Sequence, residues 1–259
     1  MLYRILSPDF RNKYKDSFGN GWIFNWHVMD HVGFTINPRH RDMGYLNIFD
    51  HYESILDETE SNVIDEVNWH FHPVSFDGKA NTCATSYENC YPVLHQILCR
   101  RLIEKMWFPL VNRAGMHTER PDSNWFLEQW IPFDASNQSI EYDDYISNGR
   151  YGDWAGAPKD WTIYHPDIYD WRQRGNCNRY IARCLNMMTR FRNLSKDELA
   201  SAFELAMNTN QNIYVGVTNH DFRELSTEIN DFYSMLQDVM AAYPDINVKF
   251  AKSSEAFMD

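Results

Sequence analysis

Apolar positions along the chain alternate between strand-like runs and helical stripes. Residues 2–17 read as a polar helix, ended by the turn residues Gly19-Asn20-Gly21. Residues 22–29, rich in aromatic and apolar side chains, predict a strand that delivers Asp30, His31 and Gly33 at its carboxyl end. Residues 47–59 carry Phe49, Tyr52, Ile55 and Leu56 at helical spacing. A strand over 67–72 and a helix over 87–106 follow, the helix bearing Leu94, Ile97, Leu98, Leu102 and Ile103 and stopping before Pro109. A short strand over 108–111 leads to the loop Asn112-Arg113-Ala114-Gly115, and a helix starts near Ser123 with Asp122 as its cap. His117, Glu119 and Arg120 lie just beyond the arginine loop, either lining the cleft or, as the first expectation, in a solvated turn.

Another strand end is expected at residues 131–134, then a polar excursion over 141–159 and strand character over 161–166. Helices are expected over 179–192 and 196–208. A last strand over 213–218 emerges at Asn219-His220-Asp221, and a final helix spans 224–243. Strands alternating with helices predict a parallel sheet or barrel, in which reactive groups sit at the carboxyl ends of strands. Asp30, His72, Arg113, Asp134, His165 and His220 are all placed at such ends by this reading.

The sharpest local signal is Trp69-His70-Phe71-His72-Pro73. Side chains two apart on a strand share a face, so two imidazoles at this spacing can converge on one ion. The proline stops ladder pairing just beyond them. His27 and His31 also share a face and offer further ligands, whereas Asp30 points the other way unless the strand end bulges.

Composition narrows the partners. The chain has 259 residues, 44% of them hydrophobic, enough to bury a full core in a single domain spanning 1–259. A net charge of -12 argues against a nucleic-acid partner. The 15% aromatic content suits a groove that stacks on sugar rings, although aromatics also serve as core. No run approaches about 18 apolar residues and no signal peptide is evident, so a soluble, cytoplasmic protein without a membrane span is expected. Five cysteines without a Cys-x-x-Cys pair predict free thiols. Neither a Gly-rich phosphate loop nor a Gly-x-Ser-x-Gly elbow occurs.

Three segments in order, His70-Phe71-His72-Pro73, Asn112-Arg113-Ala114-Gly115 running to Phe133-Asp134-Ala135-Ser136, and Val217-Thr218-Asn219-His220-Asp221, give the chain a resemblance to the polysaccharide deacetylases, the NodB-like carbohydrate esterases. That resemblance spans residue 22 onward. It implies an α/β fold, a distorted (β/α) barrel of the polysaccharide deacetylase type, with one divalent ion, most often zinc. It also implies a carbohydrate substrate that loses an N-acetyl group. Residue by residue, it makes His70 and His72 metal ligands, Arg113 the arginine that orients the base, and His220 the general acid. Asp30 is then the catalytic base, a metal ligand, or both, and His31, Asp134 and His165 are candidates for substrate contact. The sequence departs from the family at Met29-Asp30-His31, where two adjacent aspartates would stand, and in the single residue between its histidines. If the family's first strand lies ahead of Met1 or is missing, residues 22–29 match its second strand, and a catalytically inactive carbohydrate-binding relative becomes the alternative.

Overall fold

The computed structural model describes residues 1–31, 45–73, 87–140, 154–187 and 194–259. Helices α1 (Leu2–Ile5) and α2 (Pro8–Arg11) lead into strand β1 (Asn25–His31), followed by α3 (Tyr45–Glu58) and β2 (Glu66–His72). Next come α4 (Tyr91–Lys105), β3 (Val111–Asn112), α5 (Pro121–Trp130), β4 (Phe133–Asn137) and β5 (Tyr180–Asn186). The chain continues with α6 (Lys196–Thr209), β6 (Gly216–Thr218), α7 (Ser226–Ala242) and α8 (Ser253–Met258). The six strands are all parallel, lie in sequence order, and form one curled sheet, a half-barrel flanked by helices.

Parallel strands joined by helices are buried on both faces, which explains the apolar runs. On the helix side, Trp26, Val28 and Leu185 join Phe49, Ile55, Phe203, Phe232 and Leu236 in one core, while Trp69 and Phe71 pack with Tyr87, Leu94, Ile97 and Phe126 in a second. The opposite, concave face is filled at its amino end by α8. Phe257 stacks on Phe133 at 4.8 Å and meets Tyr214 at 4.9 Å. The Ser253 amide donates to Asn25 Oδ1 (2.7 Å) and the Ser254 amide to Glu66 Oε2 (3.1 Å), so the plug is fastened to the first residues of β1 and β2. Among the described residues, α8 leaves the carboxyl end of the concave face uncovered.

The structure corrects several expected elements. Residues 180–186 form β5 rather than the start of a helix over 179–192. Its arginine, Arg183, reads as the polar face of a helix, yet it is buried and bonded to both oxygens of Glu198 (2.6 and 2.8 Å) and to the Ser139 carbonyl (2.7 Å). Residues 161–166 supply only isolated antiparallel bridges, Tyr164 to Ile181 and Pro166 to Arg174. The amino-terminal helix is two short ones because Ser7 caps a new start at Pro8, accepting the Phe10 amide at 3.2 Å. Asp122 lies inside the first turn of α5 and accepts the Glu88 amide (2.8 Å), while the Arg120 amide is capped by Ser123 Oγ (2.9 Å). The polar excursion at 141–153, with Gly33 and Cys83, lies outside the described residues. Cys90, Cys99, Cys177 and Cys184 are free thiols, Cys99 being exposed.

Asp65, just ahead of β2, ties the amino-terminal helices to the sheet. Its carboxylate takes two bonds from Arg11 (2.7 and 2.6 Å), one from the Trp26 indole (2.9 Å) and one from the Phe24 amide (3.0 Å). Removing one partner of such a buried pair strands a charge. Arg11→Met is therefore expected to destabilise the fold by about 3–5 kcal/mol in urea unfolding, whereas Arg4→Met, on an exposed ion pair, should change it by less than about 1 kcal/mol.

Candidate functional site

The β1–β2 ladder is unbroken from Asn25↔Glu66 to His31↔His72, so His27, His70 and His72 project from the concave face near the carboxyl ends of the strands. The two rings of the His-x-His pair converge: His70 Nε2 and His72 Nε2 lie 3.0 Å apart, with the ring planes nearly perpendicular at 85°. His70 Nδ1 sits 2.6 Å from the Arg113 carbonyl. A carbonyl only accepts, so Nδ1 carries the proton and Nε2 presents its lone pair toward His72. Burial, and then the neighbouring His72, hold the His70 pKa well below the ordinary imidazole value, so the ring is neutral.

A neutral imidazole whose far nitrogen is bonded to a carbonyl is the arrangement found behind metal-ligating histidines. Two nitrogens about 2.05 Å from a tetrahedral ion stand roughly 3.3 Å apart, so the observed 3.0 Å needs only a slight opening to accept one. With the His70 Nε2 lone pair facing it, His72 Nε2 is the donor of this contact, and ligation through it would require His72 to carry its proton on Nδ1 instead. Two imidazole nitrogens make part of a donor set of the kind a borderline cation such as zinc takes. Among the described residues, no third His, Cys, Asp or Glu joins the pair.

The loop after β3 holds this pair from above. The Arg113 amide donates to the Trp69 carbonyl (2.9 Å), its Nη1 to the Ala135 carbonyl (2.6 Å), and the Ala114 amide to Ser136 Oγ (2.8 Å). Gly115 lies against His72: a Cβ there would stand 2.6 Å from the His72 ring and 2.5 Å from the Phe71 carbonyl oxygen. Next, a 3-10 turn, Gly115–His117, places His117 at φ 54°, a left-handed conformation unusual for a side-chain-bearing residue. The buried Trp154 indole bonds the His117 carbonyl at 3.0 Å.

The remaining expected residues divide. Asp30 and His31 stand at the register positions of Phe71 and His72; their side chains lie outside the described residues. His27 is half-buried, gives Nδ1 to the Trp69 carbonyl (3.3 Å), and has its pKa pushed down to about 3 by burial and then by the Arg113 charge. His220 lines the same concavity but is exposed at its rim against Phe222, not buried at the end of an apolar strand.

Asp134 is displaced from the expected groove. It is the second residue of β4, on the helix side of the sheet, fully buried and paired with Arg179 at 2.8 Å. His165 is displaced too, since its ring lies 4.1 Å from that of Tyr180, the first residue of β5 and hence at the amino end of the sheet. Glu119, expected in a solvated turn, is completely buried beside Arg179. Sequence reasoning did not single out Gly115 as the seat of His72; a glycine in a loop gives no hint that a ring lies against it.

Two outcomes follow from this geometry. Gly115→Ala should displace His72 and weaken divalent-ion binding by about tenfold or more in titration calorimetry, with the fold retained by circular dichroism. Because His27 and His70 bind protons less readily folded than unfolded, stability should fall as pH drops from about 6.5 toward 3, each group adding up to about 1.4 kcal/mol per pH unit. His27→Gln should flatten the denaturation midpoint over that range. No family model, curated protein or solved structure matches the chain.

Proposed function

We propose that the chain is a metal-dependent hydrolase that removes an N-acyl group, acetyl in the first instance, from a sugar or polysaccharide, on a barrel of the polysaccharide deacetylase type. The observation that carries this reading is the pair of converging histidine nitrogens at the carboxyl end of a parallel half-barrel, with one tautomer set by the Arg113 carbonyl. His70 and His72 would hold the ion; Asp30, whose register position beside Phe71 belongs to the opposite face of the ladder, would complete the set only with a turn of the chain at the end of β1. A bound zinc supplies Lewis acidity and a water whose pKa is lowered toward ~7.

The chain's own groups account for the rest. Arg113 brings a fixed positive charge to the concave face, felt at His27 and His70, and its guanidinium is aimed by the Ala135 carbonyl. In this reading it orients the carboxylate of Asp30, which takes a proton from the attacking water as general base. His220, exposed at the rim, would protonate the leaving amine of a bulky bound sugar. An exposed acid suits a polymeric substrate better than one enclosed in a core. Breaking the amide C–N bond in this way yields acetate and a free amino sugar.

The reading is tested by loading the protein with zinc and measuring acetate release from N-acetylglucosamine oligomers. Turnover is expected, with Asp30→Asn lowering the rate about 10²-fold or more and His220→Ala removing the high-pH limb of the rate profile. Stoichiometric zinc binding, abolished by His70→Ala, with oligomer binding but no turnover would instead identify a carbohydrate-binding relative. If zinc does not bind and His70→Ala leaves thermal stability in added zinc unchanged, the metal site is wrong.

A further inference from the structure

Behind the histidine pair, on the helix side of the sheet, Arg179 serves two carboxylates at once. Its Nη2 donates to Glu119 Oε1 and its Nη1 to Asp134 Oδ2, both at 2.8 Å, while Nε donates to Asn124 Oδ1 at 3.0 Å. Glu119 and Asp134 are 0% exposed and Arg179 is 1% exposed. With both acids ionised, the cluster carries a net negative charge in a place where unbalanced charge is most expensive.

The groups facing Glu119 relieve this only in part, through Arg179 and Ser123. Tyr87 faces it from the chain ahead of α4, Tyr164 from the crossing between β4 and β5, Asp134 from β4, and Asn124 and Ser123 from α5. Arg179 is the cation bonded to the Glu119 carboxyl, while Arg120 bonds the Glu119 backbone carbonyl at 2.7 Å. Glu119 Oε2, Asp134 Oδ1 and Tyr87 Oη are buried without a hydrogen-bond partner among the described residues. A proton on Glu119 cancels the excess charge and converts one surplus acceptor into a donor. Burial acts in the same direction, pushing the Glu119 carboxyl up to about 8 against the partial offset of Arg179.

Glu119 is also the far end of the loop that begins at Arg113. At its near end that loop is bonded to Trp69, His70 and Ala135, and Gly115 lies on the His72 ring. We propose that Glu119 is held as a neutral carboxylic acid and that the Glu119–Arg179–Asp134 cluster is a pH-sensitive latch on the 113–119 loop. Ionisation releases the proton to solvent and leaves the cluster with one negative charge too many. The loop end then loosens, and with it the seat of the two histidines. Because the folded protein holds this proton more tightly than the unfolded chain, the latch contributes stability at low pH that is lost as pH rises from about 4.5 through about 8. The latch stands on these contacts alone and holds whether or not the chain is a hydrolase.

The test is infrared difference spectroscopy of the full chain across a pH titration, with amide exchange of Ala114, His117 and Thr118 followed in parallel. A buried carboxylic-acid C=O band should be present at about pH 6.5, vanish by about pH 9.5, titrate at lower pH in Asp134→Asn, where Arg179 has one carboxylate to neutralise, and be missing from Glu119→Gln. Over the same range the loop amides should lose protection several-fold in the wild type, beyond the intrinsic rise in exchange, and not in Glu119→Gln. A wild-type spectrum with no such band at about pH 6.5, a band that survives in Glu119→Gln, or loop protection that tracks the variant at both pH values would overturn the proposal; the wild-type titration decides even if the glutamine variant does not fold.

Discussion

The candidate site depends on one hydrogen bond, from His70 Nδ1 to the carbonyl oxygen of Arg113. It adds to the single β2–β3 pairing, Trp69↔Asn112, and to the bond from the Arg113 amide to the Trp69 carbonyl. It decides which nitrogen of His70 faces His72, and its geometry depends on the same residue whose side chain sets the charge of the concave face. Imidazole orientation, electrostatics and loop position are thus fixed together. A change to any of the three is felt by the other two.

The sheet makes this possible by separating two polar environments by the thickness of a single strand layer. On one face, His27, His70, His72 and Arg113 line a concavity. On the other, Asn112, Asp134 and Arg179 are sealed beneath α5. Residues 112 and 113 are neighbours in the chain and lie on opposite sides of this division. A half-barrel whose strands are buried on both faces can therefore carry charge on each side without the two sets neutralising one another.

Much of this was legible in the sequence. The period-2 pattern ending at Pro73 located β2 and put both histidines on one face, and the apolar stripes at 47–59 and 196–208 found α3 and α6 nearly to their ends. The parallel sheet followed from alternation of elements. What local pattern did not show was the partnering of charge: Arg179 and Arg183 fall in the span expected as a helix, yet each is buried by carboxylates from distant segments. Asp134 misled for the same reason, since an acid near a strand end suggests a site until its partner, 45 residues away, is known. Local pattern reports which face a residue occupies; it does not report what the other wall of the core supplies.

The plug formed by α8 bears on how the molecule is made. Its bond to Asn25 closes a contact between positions 228 apart, and its bond to Glu66 one between positions 188 apart. Loop-closure entropy makes such contacts late events in folding. Until α8 docks, Phe133 and Tyr214 lack the ring that covers them, and the amino end of the barrel is open to any other apolar segment. The half-barrel is accordingly most vulnerable to misassociation between synthesis of its last strand and arrival of this helix, and the closing of the core is a kinetic event separate from the building of the sheet.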